Sequence, residues 1–236
     1  MEKQIIGVNK ESTFLRVLKS SAIGIIGGLI GSVIIMLLGI TISAGDFWYI
    51  VVLAVLLMLI HPRFICFSYA GGIIAILNLT VGYPKVNVPS IMAIVAVLHM
   101  IESFLILVDG DTTKIPIFIE RNNRIVGGFN MLKFWPIPFI VLIAQTQTIT
   151  SGGLTLTDWW PIIDISDALP LGKKLVFFMA GVIAALGYGD IAVTEHPKKK
   201  ARNSAKNLFI YSCILLVLSI YASYFYLFKC PTKTTM

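Results

Sequence analysis

The sequence predicts an all-α polytopic membrane protein: about seven transmembrane helices with a small cytoplasmic β-hairpin insert. Three observations carry that expectation. Hydrophobic residues make up 57% of the 236 and charged residues only 13%, outside the range of a soluble domain. A chain of this length could not bury so much apolar surface in its own core, so lipid must be its solvent. Apolar runs of the ~18–22 residues that cross about 30 Å of hydrocarbon recur along the chain. Lysines and arginines gather at the ends of those runs, where topological charges belong.

Residues 1–20 read as a charged cytoplasmic segment. The next run is free of charge from Ser20 to Gly45, too long for the core of a cleavable signal, so a spanning helix over 21–43 is expected. Within it Gly24/Gly28 and Gly27/Gly31 are small residues four apart, a spacing that lets helices approach closely within a protein or across a homo-oligomer. Spans over 47–61 and 64–83 follow, separated by His61-Pro62-Arg63. Proline removes a backbone donor and disfavours helix before it, so a tight turn is expected there.

A fourth span covers 89–108 and leads into an insert at 109–133. The insert holds Ile115-Pro-Ile-Phe-Ile-Glu120, then Arg121-Asn-Asn-Arg124, then Ile125-Val-Gly-Gly-Phe129. Two apolar runs around an Asn-containing turn predict a hairpin. Further spans are expected over 134–151, 174–194 and 207–228, with a short tail at 229–236. The loop between the fifth and sixth carries Asp158, Trp159, Trp160, Asp164 and Asp167, and its tryptophans suit the interfacial aromatic belt. With the N-terminus inside, cytoplasmic segments hold fourteen of the 19 basic residues, a clear positive-inside bias.

The net charge of +7 forms no continuous stripe and accompanies no nucleic-acid fold, so nucleic acid is not expected as a partner. Cys66, Cys213 and Cys230 show neither paired nor metal-site spacing.

Ionisable residues inside apolar sequence are the candidates for chemistry, because in lipid each must be partnered. His99 and Glu102 stand three apart and Asp109 seven beyond, on one helical face. Asp190, in Leu186-Gly-Tyr-Gly-Asp190, is expected at the depth of Glu102, with Tyr188 as donor between them. The candidate polar layer is therefore His99, Glu102, Tyr188 and Asp190, joining the fourth and sixth helices. It reads either as a proton or cation relay or as helix-fixing hydrogen bonding. Arg121, Arg124, Lys198, Lys199, Lys200 and Arg202 are candidates for contact with anionic lipid or an acidic cytoplasmic partner. No His-Glu-x-x-His, Gly-x-Ser-x-Gly or phosphate-cradling loop is present, so neither enzyme activity, a cofactor nor a metal is expected.

Leu98-His-Met-Ile-Glu102, Pro116-Ile-Phe-Ile, Val126-Gly-Gly-Phe129, Phe134-Trp-Pro-Ile-Pro138 and Gly187-Tyr-Gly-Asp-Ile191 occur in order. Together they resemble the membrane region of MinJ-like proteins, polytopic PDZ proteins of Gram-positive bacteria. The resemblance covers roughly residues 90–230. It implies a plasma-membrane adaptor or scaffold in division-site placement or cell polarity. In that family a PDZ domain follows and captures peptides by strand addition. This sequence stops at Met236 without one, so that activity is not carried over. The expected function is thus a non-enzymatic membrane adaptor with cytoplasmic division or polarity proteins as partners. The alternative is a small transporter or proton-linked channel built on His99, Glu102 and Asp190.

Overall fold

A computed structural model describes residues 12–60, 67–121, 123–148, 160–163 and 173–229. In chain order its elements are α1 (Thr13–Leu38), β1 (Thr41–Ser43), α2 (Ala44–Ile60), α3 (Phe67–Val81), α4 (Val88–Asp109), β2 (Lys114–Arg121), β3 (Arg124–Thr148), β4 (Lys173–Ala192) and α5 (Pro197–Lys229). The all-α, seven-span expectation is overturned. Four strands, β1 to β4, form a mixed sheet. Among the described residues three helices are long and apolar enough to cross a membrane, over Phe14–Leu38, Val88–Asp109 and Pro197–Phe225. The apolar helices α2 and α3 are shorter, at 17 and 15 residues.

The expected spans over 134–151 and 174–194 lie instead largely in β3 and β4. Apolar length alone does not separate a buried strand from a helix. What decides is a period of two. Met131, Lys133, Trp135, Ile137 and Phe139 are buried, while Leu132, Phe134, Pro136 and Pro138 between them are exposed. Two prolines two residues apart also forbid a helix interior and suit a strand edge. The turn expected at His61-Pro62-Arg63 lies outside the described residues, as do Cys66, Cys230, Asp158, Trp159, Asp164 and Asp167.

The chain forms two compact units. The first comprises Met1–Ile30, His99–Phe139 and Ile183–Tyr211. Here β2 pairs antiparallel with the start of β3, from Lys114 opposite Met131 to Arg121 opposite Arg124. Asn123, in the two-residue turn, takes a φ of 56°, the left-handed conformation Asn tolerates better than most residues. On β4, Ala192 lies beside Gly128, Gly189 beside Leu132 and Gly187 beside Phe134. Falling numbers against rising ones make this pair antiparallel. The Phe134 ring fills the space a Cβ on Gly187 would occupy.

The glycines of α1 serve the sheet edge. A Cβ on Gly24 would press into the carbonyl oxygen of Pro136, and one on Gly28 into that of Pro138. Four residues of helix rise about 6 Å and two residues of strand about 6.6 Å, so the two series nearly coincide. Neither proline has an N–H, so this stretch of edge presents the helix with acceptors and no orphan donors. The Gly24/Gly28 spacing therefore reflects helix-on-strand approach, whereas a Cβ on Gly27 would meet Ile101 and Leu105 of α4 at 3.1 Å, the helix–helix approach expected within the protein. Ser103 on α4 also donates to the Ala205 carbonyl of α5 at 2.7 Å, with Ala201 and Ala205 buried.

The second unit comprises Gly31–Leu98, Ile140–Val182 and Ser212–Met236. Ser32 accepts the Ile140 N–H at 2.8 Å, and β1 pairs parallel with β3 at Leu142–Ala144. Helix α1 ends in a Schellman turn. Gly39 N–H donates to Met36 and Ile40 N–H to Ile35, with Gly39 at φ 60°, where glycine carries no Cβ penalty. The Trp160 indole donates to the Met36 carbonyl at 3.0 Å and Ile162 N–H to Leu38 at 3.2 Å. Trp160 thus plugs the helix end. Asn87 caps α4 by accepting the Ser90 N–H at 3.0 Å, and its own N–H goes to the buried Asp46 carboxylate at 3.0 Å.

Candidate functional site

Three polar clusters and one exposed surface occupy the first unit. The most buried cluster closes the end of α4. The Asp109 carboxylate accepts from Lys133 Nζ at 3.0 and 3.1 Å, from Trp135 Nε1 at 2.9 Å and from Thr112 Oγ1 at 2.6 Å. Lys133 and Trp135, two apart on β3, point to one face, so both reach the helix terminus together. The Asp109 and Lys133 side chains are 7% and 9% exposed. At that burial a lone charge would be very costly, and a fully bonded pair is what makes the site tenable. Every lone-pair direction of the carboxylate is committed, which makes the cluster a structural joint.

The second cluster is His99 with Glu102. Nδ1 and Oε2 lie 3.0 Å apart on one helical face, and the imidazole stands 5.7 Å from the Tyr211 ring of α5. The third lies at the end of β4. Asp190 accepts from Ser204 Oγ at 2.8 Å, from Tyr188 Oη at 3.3 Å and from the Ile191 N–H at 2.8 Å. Lys200 Nζ stands 3.8 Å away. Burial, reinforced by the Asp190 charge and opposed by the Ser204 bond, pushes the Tyr188 phenol up to about 12. It therefore stays protonated and donates.

The structure joins His99 to Glu102 and Tyr188 to Asp190. It corrects the layer expected between a fourth and a sixth helix. The expected sixth helix is β4, and Asp190 turns to Ser204 and Lys200 at the start of α5. Asp109, expected on a relay face, is locked to Lys133. Sequence reasoning missed Lys133, Trp135 and Ser204 as cluster members. The usable signal was Lys133-x-Trp135, an i, i+2 pair that acquires one face only once the segment is known to be a strand.

Among the cationic candidates Arg124, Lys198, Lys199 and Arg202 are exposed and Lys200 is half-buried. Arg121 closes β2. His196 caps α5, its carbonyl accepting the N–H groups of Lys199 at 2.9 Å and Lys200 at 3.0 Å. Among the described residues no group of three or more His, Cys, Asp or Glu converges to hold a metal ion. Comparison of the chain with family models, with curated proteins and with solved structures returns no match.

Proposed function

We propose that the chain is a non-enzymatic integral adaptor of the bacterial plasma membrane, multi-pass with its N-terminus in the cytoplasm. The observation that carries the reading is the contrast between inner and outer charges. The ionisable residues in and at the end of α4 are bonded to one another or to β3, whereas Arg124, Lys198, Lys199, Arg202 and Lys206 stand exposed. Sidedness follows the same charges. Arg16 and Lys19 lie in the first turns of α1, Lys114 and Arg124 follow α4, and five basic residues open α5. All three belong on the cytoplasmic side.

Two cytoplasmic surfaces result, the β2–β3 hairpin and the basic opening of α5. An acidic division or polarity protein is the partner the resemblance to MinJ-like membrane regions suggests. A fluorescent fusion of the full chain tests this: accumulation at poles or septa is expected. Uniform membrane signal, with a solute or proton flux lost in Asp190→Asn, would replace the adaptor by the transporter.

A further inference from the structure

Met131 to Phe139 bury their odd-numbered side chains, yet on the same face of β3 the odd positions nearer the turn are open. Ile125 is 78% exposed and Phe129 39% exposed, and Phe118 on β2 is 84% exposed. The register puts Pro116 opposite Phe129, Phe118 opposite Gly127 and Glu120 opposite Ile125. Opposed residues share a face, so Pro116, Phe118, Ile125 and Phe129 form one apolar surface, with the exposed Glu120 beside Phe118 and Ile125 at its turn end. A Cβ on Gly127 would meet nothing within 4 Å, so this face is open at its centre. The core face of the sheet continues past its cover.

Basic residues outnumber the single acid along the hairpin: Lys114 shares the face at its base, opposite Met131, and Arg124 stands at the turn on the reverse face. Gly128 sits against Ala192 and Val193, four residues before Pro197 and the exposed Lys198, Lys199 and Arg202. The hairpin is thus tied at its base to the exit of α4 and at its middle, through Gly128 opposite Ile117, to the segment that enters α5. By the sidedness proposed above, both points lie at the cytoplasmic headgroup level.

We propose that the face formed by Phe118, Ile125 and Phe129 inserts into the cytoplasmic leaflet beside anionic headgroups held by the basic opening of α5. Charge complementarity selects an anionic surface, since Lys114, Arg121 and Arg124 outnumber Glu120 on the hairpin and apolar anchors with a net basic charge are the composition of interfacial elements. A protein partner fits less well on two counts. The three side chains offer roughly 400 Å², about half of what one partner contributes to a stable interface. Among the described residues β2 is an edge strand, and that edge is poorly suited to strand addition. In a two-residue hairpin the closing pair Arg121–Arg124 is hydrogen-bonded, so alternate pairs are. Pro116 falls in a non-bonded pair, and its missing N–H faces outward, in the row an added strand would need.

The inference rests on the membrane reading and its sidedness and is independent of the adaptor role. The test uses the full chain in nanodiscs, with Cys66, Cys213 and Cys230 replaced by serine and a nitroxide attached through Phe118→Cys or, separately, Ile125→Cys. Both positions are exposed, so either label reports if the other variant fails to fold. In an equal mixture of phosphatidylcholine and phosphatidylglycerol, oxygen and an aqueous nickel chelate should place each nitroxide about 5–10 Å below the headgroup boundary. A label on Asn123→Cys should remain in water. Pure phosphatidylcholine, or Lys198→Gln/Lys199→Gln/Arg202→Gln, should shift the label outward, each cation having favoured the anionic surface roughly fivefold. Nickel access in both lipids would overturn the proposal, as would depth indifferent to charge, or spin–spin broadening from a second copy on the face. Localisation of the fusion reads the adaptor separately: polar signal with labels in water sinks only the lipid contact, and uniform signal with buried labels sinks only the adaptor.

Discussion

Lys133 Nζ lies 3.0 Å from Asp109 Oδ2, joining β3 to the last residue of α4 across 24 residues of sequence. Removing one member of a buried pair strands the other, typically at about 3–5 kcal/mol. Asp109→Asn should lower the thermal stability of the detergent-solubilised protein by a comparable amount. Asp109→Asn with Lys133→Met should recover much of it, because no unpaired charge remains. A double variant as unstable as the sum of the singles would mean the pair is not coupled.

Gly24→Ala and Gly28→Ala place a methyl against backbone carbonyls that cannot rotate away. Each should cost ~1–3 kcal/mol as overpacking does. Gly72→Ala, on α3 with nothing within 4 Å of the added Cβ, should instead raise stability by about 0.5–1 kcal/mol through helix propensity. Chemical unfolding of the three variants in parallel checks the order; equal effects would refute the close approach.

Burial pushes the Asp46 carboxyl above its usual range, with the Asn87 N–H pulling the other way. A raised carboxyl value means the native chain holds the proton more tightly than the unfolded chain. The stability linked to Asp46 is thus fully present below the ordinary value of 3.8 and lost as pH rises through the raised one. Asp46→Asn keeps an acceptor for Asn87 and does not titrate. Its Tm relative to the parent should be most favourable at neutral pH and decline on acidification. A pH-independent difference would contradict the assignment.

At Asp190 the two partners should differ. The Lys200 contact is 3.8 Å between side chains 39% and 24% exposed, and such pairs contribute about 0–1 kcal/mol. Ser204 donates a 2.8 Å bond in a partly buried setting, worth roughly 1 kcal/mol. Ser204→Ala should therefore lower Tm more than Lys200→Gln, and the reverse order would sink this reading of the cluster.

Several features were legible from residues alone. Val88–Asp109 and most of Pro197–Phe225 carry enough apolar length to be found by counting, and His99–Glu102 is readable from helical spacing. β3 was hidden because both its faces are apolar. Leu132 and Phe134 outside are as hydrophobic as Met131 and Trp135 inside, so the period of two exists in burial and hardly in hydropathy. The Asp109 joint was hidden for a related reason. Lys133 looks like a topological charge until its strand turns it inward beside Trp135.

The pairing of Gly24 with Pro136 and Gly28 with Pro138 also sets its own length. Helix and strand advance by about 6.0 and 6.6 Å per step, a mismatch that accumulates like the divisions of a vernier. After two steps the scales disagree by roughly an ångström, too far for backbone to keep lying directly on backbone. The next position in each series is Ser32 and Ile140, where proline gives way to a residue with an N–H and glycine to a side chain whose hydroxyl meets it at 2.8 Å. Closeness by absence of atoms yields to closeness by reach at the point where the two periodicities fall out of step.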